Sequence, residues 1–207
     1  MTAGSPPVDG RRSAVATRAR ILDAATELFA AAGIRATSAD RVIDRVGITK
    51  VTFYRHFRTK TDLAVAYLEA QADGERGAFS HVTDGRHGLD AARAIASLIG
   101  EASCLPGFRG CPFINAAAET PDPDDPVRAV VRRHREWMHG FFATIAADAG
   151  APDPDVTAGQ LVMLRDGAMV GGYLAEPDAI AGELDAAFTA VLDRSRQPAA
   201  AEEERYK

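Results

Sequence analysis

The chain is 207 residues long, carries a formal net charge of −5 and is 46% hydrophobic, which is ordinary for a soluble globular protein of one large or two small domains. It has no apolar run near the roughly 18–20 residues that a membrane span requires, and its first ten residues lack a signal-peptide core, so a cytoplasmic protein with no membrane partner is expected. Two cysteines and no Cys/His ligand spacing exclude a disulfide framework and a zinc site, and no metal or cofactor is expected.

The net charge misleads when taken whole. Residues 11–60 hold 11 Lys and Arg against 4 Asp and Glu, a balance of +7, which leaves −11 on residues 61–207 once Asp9 is set aside. A basic head on an acidic body suits a DNA-binding protein, because attraction to phosphate depends on local charge. Residues 1–10, MTAGSPPVDG, are small and proline-rich without periodicity and read as disordered. Arg11 and Arg12 complete a basic arm over residues 1–12, either solvated or touching phosphate or the minor groove. A first helix is expected over residues 13–32, with Ile21, Leu22, Ala25, Leu28 and Phe29 as its apolar stripe and Gly33 as its stop.

Residues 37–57, TSADRVIDRVGITKVTFYRHF, read as a helix-turn-helix. Val42, Ile43 and Val46 follow at helical spacing behind Thr37 and Ser38, either of which suits an amino-terminal cap. Gly47 sits where a left-handed residue ends a helix, and Ile48 plugs the turn. Thr49 then caps a second helix that carries one apolar edge, Phe53 and Phe57, and otherwise presents Lys50, Val51, Thr52, Tyr54, Arg55 and His56. A helix entering the major groove offers its first turns to base edges and its ends and neighbours to phosphates. Lys50 and Thr52 are therefore candidates for base contact, and Thr37, Thr49, Tyr54, His56 and Lys60 for phosphate contact, with Ser38, Val51 and Arg55 completing the candidate DNA surface. Tyr54 packing against the fold, or His56 and Lys60 simply solvated, are the competing readings.

The motifs Thr17-Arg18-Ala19-Arg20-Ile21-Leu22-Asp23-Ala24-Ala25, Leu28-Phe29, Gly33, Thr37-Ser38, Gly47-Ile48-Thr49, Phe53-Tyr54-Arg55-His56-Phe57 and Lys60-Thr61-Asp62-Leu63 together resemble the amino-terminal domain of the TetR family of transcriptional regulators. The likeness covers about 50 residues without a gap. It departs from the family pattern at Ile43, Val46 and Val51; the first two are core adjustments, and Val51 bears on base preference. The resemblance implies phosphate contacts at Tyr54, His56 and Lys60. It also implies an all-α fold in which a three-helix DNA-binding domain (residues 13–60) is followed by a helical ligand-binding and dimerisation domain (residues 61–197), about nine helices in all. The tail, residues 198–207, is alanine- and glutamate-rich and reads as frayed.

Helices are expected at residues 60–81, 89–102, 127–148, 155–174 and 178–195, with a short segment around 110–119, and no alternating β-branched run suggests a sheet. The last two helices are rich in small residues, Gly167, Ala168, Gly171 and Gly172 among them, which permit close helix approach; the resemblance implies a homodimer through these helices. A small-molecule inducer is likewise implied. Candidates for its pocket are Cys111, Phe113, Asn115, Glu119, His134, Trp137, Phe141 and Tyr173, polar groups amid apolar and aromatic ones. Each could equally be core, and Asn115 and Glu119, four apart, could hydrogen-bond within the fold. Cys111, near a helix start and beside Arg109, is either an inert buried thiol or a reactive one with Cys104 as its partner. His134 and His139, five apart, share no helical face and suggest no metal.

The expected function is a ligand-responsive transcriptional regulator, a repressor that binds a near-palindromic double-stranded operator as a homodimer and is released by a small molecule. The alternative is a helical carrier or enzyme with a vestigial head. No phosphate-cradling glycine loop, nucleophile elbow or paired carboxylates favour an enzyme.

Overall fold

The computed structural model describes residues 8–174 and 177–196. Among these residues the chain forms nine α-helices and no strand: α1 (Val8–Ala32), α2 (Ala39–Val46), α3 (Lys50–His56), α4 (Lys60–Thr83), α5 (Gly88–Ser103), α6 (Pro112–Glu119), α7 (Pro126–Asp148), α8 (Pro154–Leu174) and, after a 3-10 turn at Pro177–Ala179, α9 (Ile180–Arg196). The all-helical expectation holds, with most boundaries within a residue or two. The main difference is at the amino end: residues 8–12, expected in the arm, are the first turns of α1. They follow directly on Pro6-Pro7 in the sequence, and proline is compatible with a helix start, so only Gly10 disfavours the extension. The rest of the arm, and the expected tail, lie outside the described residues.

Local chemistry explains where the helices begin and end. Thr59 and Asp62 form a reciprocal capping box at α4, each side chain accepting from the other's backbone N–H at 3.0 Å. Pro126 occupies the first turn of α7 behind the Asp125 cap, where its missing N–H costs nothing.

The head is a three-helix unit in which Ile21, Ala25 and Phe29 of α1, Val42, Ile43 and Val46 of α2, and Phe53 and Phe57 of and after α3 are buried. Helix α4 joins it to the body. Its first half packs Leu63 and Tyr67 towards α1, the Tyr67 ring meeting Phe29 edge-on at 5.3 Å. Its second half sends Phe79 to Trp137, Phe141 and Phe142 of α7, at 5.7, 5.3 and 6.5 Å. In the body α5 lies along α9 and α7 along α8. Gly100 makes the first contact possible, since a Cβ there would overlap Ala181, and forcing an extra carbon into such a seam costs about 1–3 kcal/mol.

The small residues of α8 divide between two jobs. Gly172 faces Ser103 and Phe108, and Gly171 faces Ile180, so these two close the fold within one chain. Gly167 is exposed, and on the outside of the same helix so are Val156, Met163, Val170 and Leu174. Helix α9 turns Gly182, Ala186 and Ala190 to solvent while burying Leu184, Phe188, Val191 and Leu192. No helix among the described residues is long and apolar enough to cross a membrane.

Candidate nucleic-acid interface

The turn between α2 and α3 is built as the residue types require. Ser38 caps α2 by accepting from the Arg41 N–H at 3.2 Å. Gly47 closes the helix at φ 71°, donating to the Ile43 carbonyl at 3.0 Å. A Cβ at Gly47 would meet nothing within 4 Å, so glycine is needed there for its left-handed backbone and not for room. The Arg20 guanidinium reaches across from α1 to the Val46 carbonyl at 2.7 Å, a cation on the carboxyl end of α2. Thr49 caps α3, accepting from the Thr52 N–H at 3.1 Å.

Two buried aromatics decide which way α3 faces. Phe53 and Phe57, with ring centroids 6.2 Å apart, anchor one edge, and the Arg18 guanidinium lies 4.8 Å above the Phe57 ring. The opposite side is left to solvent: Val51 is 80% exposed and Tyr54 46%, Lys50 and Arg55 are exposed, and Thr52 and His56 are half-buried. Tyr54 leans edge-on against Phe53 at 5.2 Å.

Each expected contact residue has a definite place. Ser38 and Thr49 are exposed caps, and the Thr49 and Thr52 hydroxyls lie 3.0 Å apart. The Lys50 ammonium is paired with Asp40 at 2.8 Å; that hydrogen bond, and then the carboxylate's charge, hold its proton above the usual lysine range. His56 turns one ring nitrogen, Nε2, inward, where it has no partner among the described residues. Two candidates require correction. Thr37 is fully buried, its hydroxyl donating to the Gly33 carbonyl at 2.9 Å and lying 3.3 Å from that of Leu28, so its side chain secures the α1–α2 loop and faces no phosphate. The Lys60 ammonium donates to the carbonyls of Ile34, Arg35 and Thr37 at 2.9, 3.3 and 3.1 Å, which commits it to the same loop.

No one cavity among the described residues takes in all eight expected pocket residues. Cys111, Phe113 and His134 are buried together, the His134 imidazole stacked on the Phe113 ring at 3.6 Å and 8°. Trp137 and Phe141 are half-buried on the α4–α7 face, with Arg76 5.3 Å over the indole. Tyr173 is exposed beneath Arg109, 5.9 Å away. Among the described residues, Asn115 and Glu119 line one cleft together. It holds about 490 Å³ between α1, α4, α6 and the α5–α6 loop. A larger groove, about 730 Å³, runs along α4 and α5 but is walled by Arg86, Asp90, Arg93 and Glu101 and open to solvent.

Cys111 caps α6 and is 3% exposed. Arg109 does not activate it; that guanidinium donates to the Ala31 carbonyl. The exposed Cys104 thiol lies against Asp178 at 3.4 Å, and desolvation together with that carboxylate pushes its pKa up, which disfavours the reactive thiolate.

A buried polar cluster escaped the sequence reading. Arg165 of α8, 2% exposed, donates to Glu75 of α4 at 2.6 Å and to Asp166 at 3.3 Å, and His134 Nε2 stands 3.1 Å from the second Glu75 oxygen. Burial alone would weaken the guanidinium's hold on its proton, but Cys111, Glu75 and Asp166 outweigh it and raise the pKa further. The available signal was one arginine directly after the apolar run Leu161-Val162-Met163-Leu164 of α8.

The comparisons with known proteins agree with this geometry. Residues 21–67 match the family model described as bacterial regulatory proteins, tetR family. The structure of a TetR-family transcriptional regulator from Streptomyces coelicolor is 37% identical and superposes with a TM-score of 0.83 over 87% of this chain and 96% of the other. Among curated proteins, the transcriptional activator FasR of Mycolicibacterium smegmatis is 38% identical over 79 residues, 36% of each chain. The transcriptional repressor KstR2 of Rhodococcus jostii is 30% identical over 94 residues, 45% of each. These two alignments span less than half the length of the curated relatives. Taken with the capped turn and the outward recognition helix, the near full-length likeness to the Streptomyces regulator leads to one conclusion: this chain belongs to the TetR family and is a transcriptional regulator with a DNA-binding helix-turn-helix.

Proposed function

We propose that this regulator is a homodimeric repressor that reads a near-palindromic operator through α3 and leaves it when a small molecule binds the body. The outward face of α3 carries the reading: a short cationic and hydroxylated surface held rigidly by Phe53 and Phe57. Lys50 and Thr52 meet base edges there, exchanging the Lys50–Asp40 pair for DNA; Ser38, Thr49, Tyr54, Arg55 and His56 meet phosphates; and Val51 adjusts base preference. The exposed stripe of Val156, Met163, Val170 and Leu174 on α8, beside the small outer residues of α9, supports a four-helix contact between two copies. A two-fold axis through it places two heads on two half-sites. Such a dimer acts in the cytoplasm and represses by occupying DNA that polymerase needs. A carrier or enzyme with a vestigial head implies a decayed recognition face, whereas α3 keeps its cap, its anchors and its charge.

The test is fluorescence anisotropy of the purified protein on duplex DNA from beside its own gene, with scrambled competitor and at two salt concentrations. Competitor-resistant binding that falls with salt by about 0.9 log units per log unit of salt for each phosphate neutralised supports the reading. Equal affinity for both duplexes, or none, contradicts it. Light scattering on Met163→Glu tests the dimer: a helical monomer is expected, and an unchanged dimer refutes this interface.

A further inference from the structure

The cleft at the head–body joint has a composition that fits one chemical class. Its walls include the rings of Phe29, Tyr67 and Phe108, and its polar groups include Gln71, Asn115 and Glu119. The Tyr67 phenol is pushed up to about 12 by burial and, secondarily, by Cys111 and Glu119, so it keeps its proton. Glu119 is the notable member. It is half-buried, and no Lys, Arg or His side chain among the described residues stands within ion-pair distance of it. Its Oε2 accepts from the backbone N–H of Arg35 at 2.6 Å. Its Oε1 rests where a Cβ on Gly33 would be. Arg109 also lines the cleft, but its guanidinium is committed to the Ala31 carbonyl and the Tyr173 ring. A half-buried carboxylate without a cation, in an aromatic-walled cleft of ligand size, is the environment that stabilises a desolvated organic cation.

We propose that this cleft binds an organic monocation, a protonated amine or amidine on an apolar ring, with Glu119 as its counter-ion, and that the ligand competes with the Arg35 N–H for that carboxylate. The site deepens the reading of a ligand-responsive regulator and rests on it only for the consequence at DNA. When the cation takes the carboxylate, the loop at residues 33–37 loses its tie to α6. The same loop begins the helix-turn-helix, and Lys60 grips it from α4. Ligand binding and head position are thereby linked through one oxygen atom.

Isothermal titration calorimetry of the full chain with benzamidine, without DNA, tests the site, and benzamide is the neutral near-isostere. Benzamidine should bind saturably and about ten-fold or more tighter than benzamide, the ratio one charge-assisted hydrogen bond supplies. Glu119→Gln should abolish that preference, while Phe108→Ala should weaken both probes alike; circular dichroism establishes that each variant is folded. Equal binding of the two probes, full benzamidine affinity in Glu119→Gln, or no saturation up to ~10 mM overturns the site. Hydrogen exchange of the Arg35 amide tests the competition: it should accelerate with benzamidine in the wild type, and an unchanged rate at saturation overturns the shared carboxylate. Operator affinity is measured separately, so Glu119-dependent binding with unchanged DNA affinity leaves the site standing and refutes its link to DNA.

Discussion

Replacing Glu75 with glutamine tests how the body is held together. Arg165 is buried in α8 with Glu75 at 2.6 Å and Asp166 at 3.3 Å, and His134 shares the same glutamate from α7. Removing one partner of a buried ion pair costs about 3–5 kcal/mol, because the other charge stays desolvated. Asp166 survives and glutamine still offers a carbonyl, which places Glu75→Gln near the lower end, about 3 kcal/mol, or about 6–12 °C in Tm for a chain of this size. Arg165→Met should cost a similar amount, and the double variant should lose less than the sum by about 1–3 kcal/mol. Acid adds a second signature. Burial pushes the Glu75 carboxyl up, but the adjoining His134 imidazole and the Arg165 guanidinium outweigh it, leaving its native pKa below the usual value. Its contribution is therefore whole above the unfolded value of about 4.3 and is lost as pH falls through the native one. Urea denaturation followed by circular dichroism, at one protein concentration and at pH values from neutral into acid, measures all three variants. A Glu75→Gln loss below about 0.5 kcal/mol, strict additivity, or a wild-type advantage that grows in acid would refute the reasoning.

Lys50→Ala should weaken operator binding by on the order of ten-fold or more with helicity unchanged, whereas Asp40→Asn, which frees the ammonium, should leave affinity equal or raise it a few-fold; anisotropy checks both, and a loss with Asp40→Asn contradicts the exchange of partners. Gly47→Ala should destabilise the chain by about 1–2 kcal/mol through its left-handed backbone alone, with Gly47→Asn less harmful, as chemical denaturation would read; an unperturbed midpoint argues against it. Lys60→Met should cost about 2–3 kcal/mol of stability through its lost carbonyl bonds, while leaving the salt slope of DNA binding unchanged. A slope reduced by about one unit would return Lys60 to the phosphates.

The helices were readable because their signals are local. Ser38, Gly47, Thr49 and Thr59 each act on backbone groups within a turn, and Phe53 with Phe57 gives α3 its inner edge from four residues away. What could not be read joins distant parts of the chain. Glu119 meets Arg35 across 84 residues and Arg165 meets Glu75 across 90, and no periodicity encodes such pairs. Thr37 and Lys60 were assigned outward from residue type and from family resemblance, yet the α1–α2 loop leaves carbonyls that only neighbouring donors can satisfy, and these two supply the protons. The small residues of α8 were legible as close-packing positions, but which of them face the chain itself depended on where α5 and α9 lie.

The end of α1 and the loop after it, residues 31–37, have a mechanical meaning. A domain carried on a single helix behaves as a weight on a rod, free to twist about the rod's axis. Here α4 is the rod, and the side chains of Arg109 and Glu119 are stays that run from the body to Ala31 and Arg35 beside it. Two attachments off the axis remove torsion, and Lys60 clamps the stayed loop to the rod itself. With both stays set, the head can only pivot as one piece with α4; with either slack, it regains rotation about α4, the motion that most directly changes the angle at which α3 would enter a groove.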